Sequence, residues 1–213
     1  VDLDGSLVCR PPIAEVKQTG GGDNLGFALQ RQMVIGSAVI DGVSYIITSS
    51  SVGIVAYHAT SVDEIDTLQG TLIVADVLSD CAIQLHNTVY ILGRYDSGTN
   101  GGIWDGTTFT PVVGFEPRGS SAVFFKGRVW VVPGAADPLH PRSSQLVFSD
   151  PVPLTLPITI PWNPVNVIPV GQGDGENLID LLVVADNLML FKNNSTYAYL
   201  YDVNANVGIL RKV

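Results

Sequence analysis

The sequence predicts an all-β protein and, within that class, a β-propeller of four to five small blades. Helical periodicity is nearly absent along the 213 residues. Apolar residues instead form short runs or alternate with polar ones, and Gly, Asn, Asp and Ser interrupt them, which is typical of strands and hairpins. A pattern of apolar run, tight turn and second apolar run also recurs four times. A β-sandwich is the competing architecture.

The recurring pattern has the spacing of propeller blades. It occupies residues 37–49, 81–93, 121–133 and 180–192. Its predicted turns centre on Asp41-Gly42, His86-Asn87, Lys126-Gly127 and Asp186-Asn187. Asn and Gly tolerate the positive φ that two-residue hairpins require. The Gly or Asn of successive turns, at 42, 87, 127 and 187, are 45, 40 and 60 residues apart, and the first two intervals fit the period of a four-stranded blade.

Further strands are expected after each hairpin and before the first one. The strands after the hairpins are predicted at 53–59, 101–113, 144–150 and 195–203. The N-terminal region, 1–36, is expected to hold strands at 6–9 and 26–35 and a Gly-rich loop, and could complete a blade or close the ring. The blades themselves are assigned to 37–213. The best helix candidate, 61–69, is about two turns long at most.

A proline-rich segment interrupts the regular spacing. The stretch "LVFSDPVPLTLPITIPWNPVNVIPVGQGDGENL" (146–178) contains six of the thirteen prolines of the chain. Proline fixes φ, removes a backbone donor and pushes the residue before it toward an extended conformation, so it excludes a helix or a central strand. We therefore predict a stiff, extended crossing at 151–169 that links two blades and lays its apolar side chains over blade faces.

The composition excludes several classes of function. Hydrophobic residues make up 46% of the chain, charged residues only 15%, and the net charge is −9. The Lys and Arg residues are scattered, whereas specific DNA or RNA recognition requires a concentrated basic face. No apolar run approaches the 18 or so residues of a membrane-spanning helix. Cys9 and Cys81 lie in apolar surroundings and are predicted to be buried free thiols, with a disulfide as the alternative.

No catalytic, cofactor-binding or metal-binding residues are predicted, and an enzymatic role is not expected. The three histidines, His58, His86 and His140, share no ligand spacing. The chain contains no nucleophile elbow, P-loop or dinucleotide fingerprint. Two acidic turns, 1–6 and 171–177, could offer carboxylates to Ca²⁺, but neither completes a calcium loop.

The C-terminal third resembles a known family. "QLVFSDP" (145–151), a Trp, and "VIPVGQGDGENLIDLLVVADNLMLFKNNSTYAY" (167–199) are similar to the β-propeller domain of tailed-bacteriophage tail proteins, of the nozzle or tail-tubular type or the propeller-bearing minor tail type. "LDGSLVCRPPI" (3–13) is similar to the N-terminal strand of the same proteins. The Trp comes late here, and the prolines before it exceed the usual number. The residues that follow the family order are Phe148, Ser149, Asp150, Trp162, Ile168, Val170, Gly173, Asp174, Gly175, Leu190, Phe191, Lys192 and Tyr197.

The resemblance implies a structural protein of the virion tail without catalytic function. Its copies would form a homo-oligomeric ring that contacts neighbouring tail proteins around a channel, through which DNA passes without specific binding. An acidic chain suits that channel, because negative walls repel the phosphate backbone. We expect the proline crossing and the loop 133–142 to make the contacts. The alternative is a carbohydrate- or receptor-binding propeller in which exposed Trp104, Trp130 and Tyr95 stack on sugars; a hydrolytic propeller is a third candidate.

Overall fold

The protein is all-β, and its described residues form four antiparallel sheets of four strands each. The computed structural model describes residues 33–51, 53–59, 68–94, 100–133, 144–153, 155, 157–171, 173–202 and 207–213. Within these ranges the regular structure consists of strands, and no helix is present. None of the described ranges therefore holds a helix that could cross a lipid bilayer.

Each sheet is built from four strands that follow one another along the chain. Sheet 1 contains β1 (Met33–Ile40), β2 (Val43–Ser50), β3 (Gly53–Ala59) and β4 (Leu68–Ala75). Sheet 2 contains β5 (Ala82–Leu85), β6 (Thr88–Ile91), β7 (Gly102–Trp104) and β8 (Phe109–Pro111). Sheet 3 contains β9 (Gly119–Phe125), β10 (Arg128–Pro133), β11 (Gln145–Ser149) and β12 (Trp162–Pro169). Sheet 4 contains β13 (Leu178–Val184), β14 (Asn187–Lys192), β15 (Thr196–Asp202) and β16 (Val207–Lys212).

The first hairpin of every sheet closes with a two-residue turn, as predicted. Asp41-Gly42, His86-Asn87 and Lys126-Gly127 occupy the first three turns. The fourth turn is Ala185-Asp186, one residue earlier than the predicted pair, and both residues have positive φ (45° and 63°). Asn187 already belongs to β14. This register places alternate β14 side chains in the core, and burial outweighs the preference of Asn for the turn.

The other predicted strands are found with small changes. The strands predicted at 53–59, 144–150 and 195–203 correspond to β3, β11 and β15, while the one at 101–113 is divided into β7 and β8. The first part of the helix candidate, 61–67, lies outside the described residues, and its last two residues belong to β4. Residues 1–32 also lie outside them, so the predicted N-terminal strand at 6–9 and most of that at 26–35 do too; β1 begins at Met33.

The four sheets pack in chain order, with a separate apolar cluster at each junction. Strand β1 contacts β5, β5 contacts β9, and β9 contacts β13, so the first strands of successive sheets are neighbours. The cluster between sheets 1 and 2 includes Ile47 and Trp104, and that between sheets 2 and 3 includes Tyr90 and Val131. The cluster between sheets 3 and 4 includes Trp130 and Leu190, among others. Alternate residues of β6, β10 and β14 are buried in these clusters: Val89, Ile91, Val129, Val131, Leu188 and Leu190.

The proline-rich segment is placed differently from the prediction. It does not link two sheets: residues 150–161 connect β11 to β12 within sheet 3, and β12 is the edge strand of that sheet. An edge strand tolerates proline because one side of its backbone needs no ladder partner. The prediction that the segment lays apolar side chains over a sheet is confirmed. Val152, Ile158 and Ile160 are buried in the cluster between sheets 2 and 3, whereas the neighbouring prolines 151, 153 and 157 are exposed.

Candidate functional site

A buried lysine organises the acidic turn that leads from sheet 3 into sheet 4. Lys192, at the end of β14, has a fully buried side chain. Its Nζ donates to both carboxylate oxygens of Asp174, at 2.6 and 2.7 Å, and to the carbonyl oxygens of Val170 (2.9 Å) and Gly171 (3.3 Å). The ammonium group therefore has acceptors for all its protons, which is the condition for burying a charge at acceptable cost.

Three further side chains complete this cluster, which we call the Lys192 cluster. Tyr197 donates from its hydroxyl to Asp174 Oδ2 at 3.3 Å, and Ser195 donates to a carboxylate oxygen of Glu176. The backbone N–H of Glu176 donates to Asp174 Oδ1 at 3.0 Å. The hydrogen bond from Lys192, followed by that N–H, holds the pKa of Asp174 below its ordinary value. Asp174 is therefore ionised at neutral pH and pairs with the lysine charge.

The turn also requires glycine at its first position. Gly171 has φ +55°, in the left-handed region, and a Cβ there would come within 2.4 Å of both the Tyr197 hydroxyl and an Asp174 carboxylate oxygen. A side chain at this position would break the Lys192 cluster on steric grounds alone. Asp174, the middle residue of the Gly-Asp-Gly part of the sequence resemblance, thus belongs to a packed structural turn.

The same geometry answers the question of calcium at this turn. Both carboxylate oxygens of Asp174 face the ammonium group of Lys192, so a protein cation occupies the position in front of them. Among the described residues, no group of three or more His, Cys, Asp or Glu side chains is arranged to hold a metal ion. The other acidic turn, 1–6, lies outside the described residues.

The Phe-Ser-Asp part of the resemblance ties together three strands of sheet 3. Phe148 stacks on Trp130 with ring centroids 4.8 Å apart. Ser149 is buried; its Oγ accepts from the N–H of Val129 at 3.0 Å and donates to the carbonyl of Asp150 at 2.7 Å. Asp150 Oδ1 accepts from the side-chain amide of Asn166 at 2.9 Å. These contacts join β10, β11 and β12 around the start of the proline-rich segment.

A second buried ionisable pair, Glu116 with Tyr90, was not predicted from the sequence. Glu116 lies on the connection from sheet 2 to sheet 3 and is buried. Its carboxylate accepts from the hydroxyl of Tyr90 at 2.5 Å and from the N–H of Gly101 at 2.6 Å. Burial raises the pKa of Glu116, although the hydrogen bonds from Tyr90, Gly101 and Gly93 oppose that effect. Burial and the neighbouring carboxylate together raise the pKa of Tyr90 well above its ordinary value.

The Glu116–Tyr90 pair fits a structural role, as a hydrogen bond that holds the connection between sheets 2 and 3 against the core. Tyr90 has no exposed surface and lies within the apolar cluster between sheets 2 and 3. A substrate would have to displace that core to reach the two groups. In the sequence, Glu116 is a lone acid between Phe115 and Pro117 and matches no motif. A single acidic residue at the end of a short apolar stretch is the only sequence signal that could have drawn attention to it.

The two described histidines and the described cysteine lie in separate places. His58 packs against Tyr45 with ring centroids 5.3 Å apart, and His86 lies on its exposed hairpin turn, 6.1 Å from the ring of Phe124. Cys81 is half-buried, and its Sγ lies 3.7 Å from the carbonyl oxygen of Ala122. His140 and Cys9 lie outside the described residues.

Two of the three aromatic residues expected to stack on sugars are buried. Trp104 and Trp130 are both fully buried. Trp104 packs edge-on against Tyr45, with ring centroids 5.0 Å apart, at the junction of sheets 1 and 2. The expectation that these two tryptophans form a binding platform is therefore wrong, because the face of the strand that carries them is covered by a neighbouring sheet. Tyr95 lies outside the described residues.

Of the two predicted contact segments, one is described. In the proline-rich segment, prolines 151, 153 and 157 and Val165 point to solvent. In the loop 133–142 only Pro133 is described, as the last residue of β10. No protein-family model matches the chain, and a search of curated proteins gave no match either.

Proposed function

We propose that this chain is a structural, non-catalytic component of a tailed-bacteriophage virion tail. In this proposal the four sheets are blades of a β-propeller, and copies of the chain form a ring that contacts neighbouring tail proteins around the DNA channel. The observation that carries the proposal is the Lys192 cluster. Asp174, Lys192 and Tyr197, which follow the order of the phage tail propellers, converge on one buried turn between two sheets.

The packing of the sheets supports the propeller over the sandwich. In a sandwich, two larger sheets face each other across one core. Here four small sheets, each formed by consecutive strands, pack one after another through three separate apolar clusters. Their first strands are neighbours along this series, as the inner strands of successive propeller blades are.

The net charge of the chain supports the proposal that it lies beside DNA without binding it. A net charge of −9 disfavours contact with phosphates, and each phosphate contact would need a basic side chain. A negative wall keeps DNA from adhering while it passes. The exposed prolines of the crossing support contact with other proteins, because a segment already held rigid loses little entropy when it docks.

Immunogold labelling of phage particles that carry this sequence tests the assignment. Antibody raised against the purified chain should label the tail of intact virions, at the axial position where a ring would lie. Particles from an unrelated phage serve as the control for non-specific labelling. Gold confined to the cell lysate, with none on purified virions, would contradict a structural role in the tail. Label on the capsid alone would contradict the tail location.

A further inference from the structure

The outward side of the proline-rich segment forms a ridge without charge. Exposed and buried residues alternate along it, and the buried ones, Val152, Ile158 and Ile160, fill the cluster between sheets 2 and 3. The exposed ones are named here the proline ridge: Pro151, Pro153, Thr155, Pro157 and Thr159. No Asp, Glu, Lys or Arg occurs between residues 151 and 173. A partner that binds the ridge therefore gains nothing from ion pairs with it.

The ridge is held in place by hydrogen bonds and by its own sequence. Asp150 donates from its backbone N–H to the carbonyl of Pro161 at 2.9 Å, and Val152 donates to the carbonyl of Gly127 at 2.8 Å. Residues 150–164 include five prolines and five residues that directly precede a proline. Proline fixes φ and pushes the residue before it toward an extended conformation. Two thirds of this stretch is thus restricted before any partner binds, so docking costs little conformational entropy.

The segment is unsuited to a partner that adds a β-strand. Strand addition relies on backbone hydrogen bonds along an exposed sheet edge, and proline has no N–H to donate. In the edge strand β12, Pro164 and Pro169 lack this donor, and the N–H of Val165 donates instead to Asn163 Oδ1 at 3.2 Å. Proline on an edge strand is one of the ways in which proteins block edge-to-edge pairing. A partner therefore has to bind the side chains of the ridge rather than its backbone.

Aromatic side chains are the complementary surface for such a ridge. Proline rings are compact and apolar, and rigid proline-rich segments are bound in grooves lined with aromatic rings. The hydroxyls of Thr155 and Thr159 can pair with the polar groups at the ring edges of Tyr and Trp. We propose that the proline ridge docks in a groove lined by Trp, Tyr or Phe side chains of a different protein. This inference deepens the proposed contact with neighbouring tail proteins and rests on it.

The partner is a different protein because this chain does not offer such a groove. The fourteen aromatic side chains that the structure describes are all buried or half-buried. The other aromatic residues lie far apart in the sequence: Phe27, Tyr95 and Tyr201. Residues 1–32 contribute only Phe27. Neither that segment nor a second copy of the chain therefore presents several exposed aromatic rings side by side.

A single ridge makes a small contact. Nine extended residues span about 30 Å, and a contact of that length and one side chain in width buries less than the roughly 1,200 Å² of a standard interface. In the proposed ring, several copies present the ridge at once, and linked contacts raise the overall affinity by a factor of about 10²–10⁴. The docking should therefore be strongest in the assembled tail, which is where it has to be tested.

Photo-cross-linking in purified virions tests the proposal. Thr159→Cys, labelled with a benzophenone maleimide, places the reactive group on the ridge. Val113→Cys, at a position that is 95% exposed and outside the ridge, is the matched control. After irradiation, mass spectrometry should show the label at residue 159 joined to a peptide of a different tail protein that contains Trp, Tyr or Phe. The wild-type chain, treated in the same way, gives the background from Cys9 and Cys81.

Substitution of the ridge shows whether the proline rings are recognised. In the Thr159→Cys chain, Pro151→Ser, Pro153→Ser and Pro157→Ser together should lower the cross-link yield about tenfold or more. Pro111→Ser, at an exposed proline of β8, is the matched control and should leave the yield unchanged. Replacing the cross-linked aromatic residue of the partner by Ala should lower the yield to a similar extent. This second substitution gives the same test if the triple serine variant is not incorporated into virions.

The outcomes separate this inference from the proposed function. Virions that lack the chain would overturn both. A chain that is present in the tail but gives no cross-link above the Val113→Cys control would overturn docking of the ridge and leave the structural role standing. The same holds for a cross-link to residues 1–32 or to a second copy, for a partner peptide without an aromatic residue, and for a yield that the serine or alanine substitutions leave unchanged.

Discussion

The two junctions of sheet 3 each bury an ionisable group, but they compensate its charge in opposite ways. At the junction with sheet 4, the cation of Lys192 meets the carboxylate of Asp174 and two backbone carbonyls. At the junction with sheet 2, the carboxylate of Glu116 accepts from a hydroxyl and from backbone N–H groups, and the charge of Arg118 also stabilises it. In both places the contact fastens the connection between successive sheets.

This difference has a direct electrostatic consequence. Hydrogen bonds from Lys192 and a backbone N–H outweigh the effect of burial on Asp174, and its pKa is lowered. For Glu116, burial outweighs the hydrogen bonds, and its pKa is raised. A sheet connection can therefore be fastened by a matched ion pair or by a carboxyl group that is stabilised most when protonated. The stability of the two junctions should respond differently to substitution and to pH.

The largest effect is expected from the apolar core of the junction between sheets 3 and 4. Trp130 is fully buried, stacks on Phe148, lies 5.3 Å from the ring of Tyr199 and donates from Nε1 to the carbonyl of Phe125 at 3.0 Å. Trp130→Ala should lower the free energy of unfolding by about 3–5 kcal/mol, since it leaves a large cavity. Urea denaturation measures the change.

The control for this substitution is Val113→Ala. It also removes apolar side-chain atoms, but at a position that is 95% exposed to solvent. It should change the free energy of unfolding by less than about 0.5 kcal/mol. If Trp130→Ala proved no more destabilising than Val113→Ala, the cluster between sheets 3 and 4 would not be the packed core described above.

A smaller loss is expected when the cation of the Lys192 cluster is removed. Lys192→Met keeps most of the apolar volume but leaves the buried carbonyl of Val170 without its donor. An unsatisfied buried acceptor costs about 1–3 kcal/mol. The side chain of Asp174 is 26% exposed, so water can solvate its charge and limit the further loss. Thermal unfolding near neutral pH should show a lower midpoint for Lys192→Met than for the wild type.

Lys212→Met is the matched control, because Lys212 lies on the edge strand β16 with an exposed side chain, 5.9 Å from the same Tyr197 ring. It should leave the midpoint nearly unchanged. Equal losses in both variants would mean that burial of the Lys192 ammonium group does not matter for stability.

Much of the fold could be predicted from the sequence, because the turns and strands depend on residues that are neighbours in the chain. Asp41-Gly42 and Lys126-Gly127 predict hairpin turns because Gly supplies positive φ, and these turns set the positions of the strands around them. The sequence places the fourth turn one residue too late, because Asn187 satisfies the local preference for positive φ better than Ala185 does. Its register is decided by which β14 residues face sheet 3, and that information is not local.

The ionisable clusters could not be predicted because their partners come from distant parts of the chain. Glu116 is surrounded by Tyr90, Gly93 and Gly101, which only the folding of sheet 2 brings together. Asp174 and Lys192 were both identified through the family order, but their pairing was not predicted. The exposure of Trp104 was predicted wrongly for a related reason: strand alternation separates two faces without indicating which one a neighbouring sheet covers.

The smallest effect, and the sharpest comparison of the two junctions, is expected in the dependence of stability on pH. The raised pKa of Glu116 means that its contribution to stability is complete below its unfolded pKa of about 4.3 and is lost as the pH rises through the folded pKa. The lowered pKa of Asp174 means that its contribution is present above about pH 3.9 and is lost as the pH falls through the folded pKa. In a plot of unfolding free energy against pH, Glu116→Gln should therefore reduce the fall on the alkaline side. Asp174→Asn should reduce the fall on the acid side.

Glu116→Gln is a good mimic of the protonated acid, because the amide oxygen can accept from Gly101 N–H while the amide nitrogen donates to the hydroxyl oxygen of Tyr90. At pH 4 it should match the wild type within about 1 kcal/mol, and between pH 4 and 8 its unfolding free energy should fall less than that of the wild type. Asp174→Asn should show the same decrease in unfolding free energy between pH 4 and 8 as the wild type. Its unfolding free energy should no longer depend on the ionisation of residue 174 at acid pH. Urea titrations at closely spaced pH values distinguish the two. Parallel profiles for Glu116→Gln and the wild type above pH 4 would mean that Glu116 does not set the response of this junction.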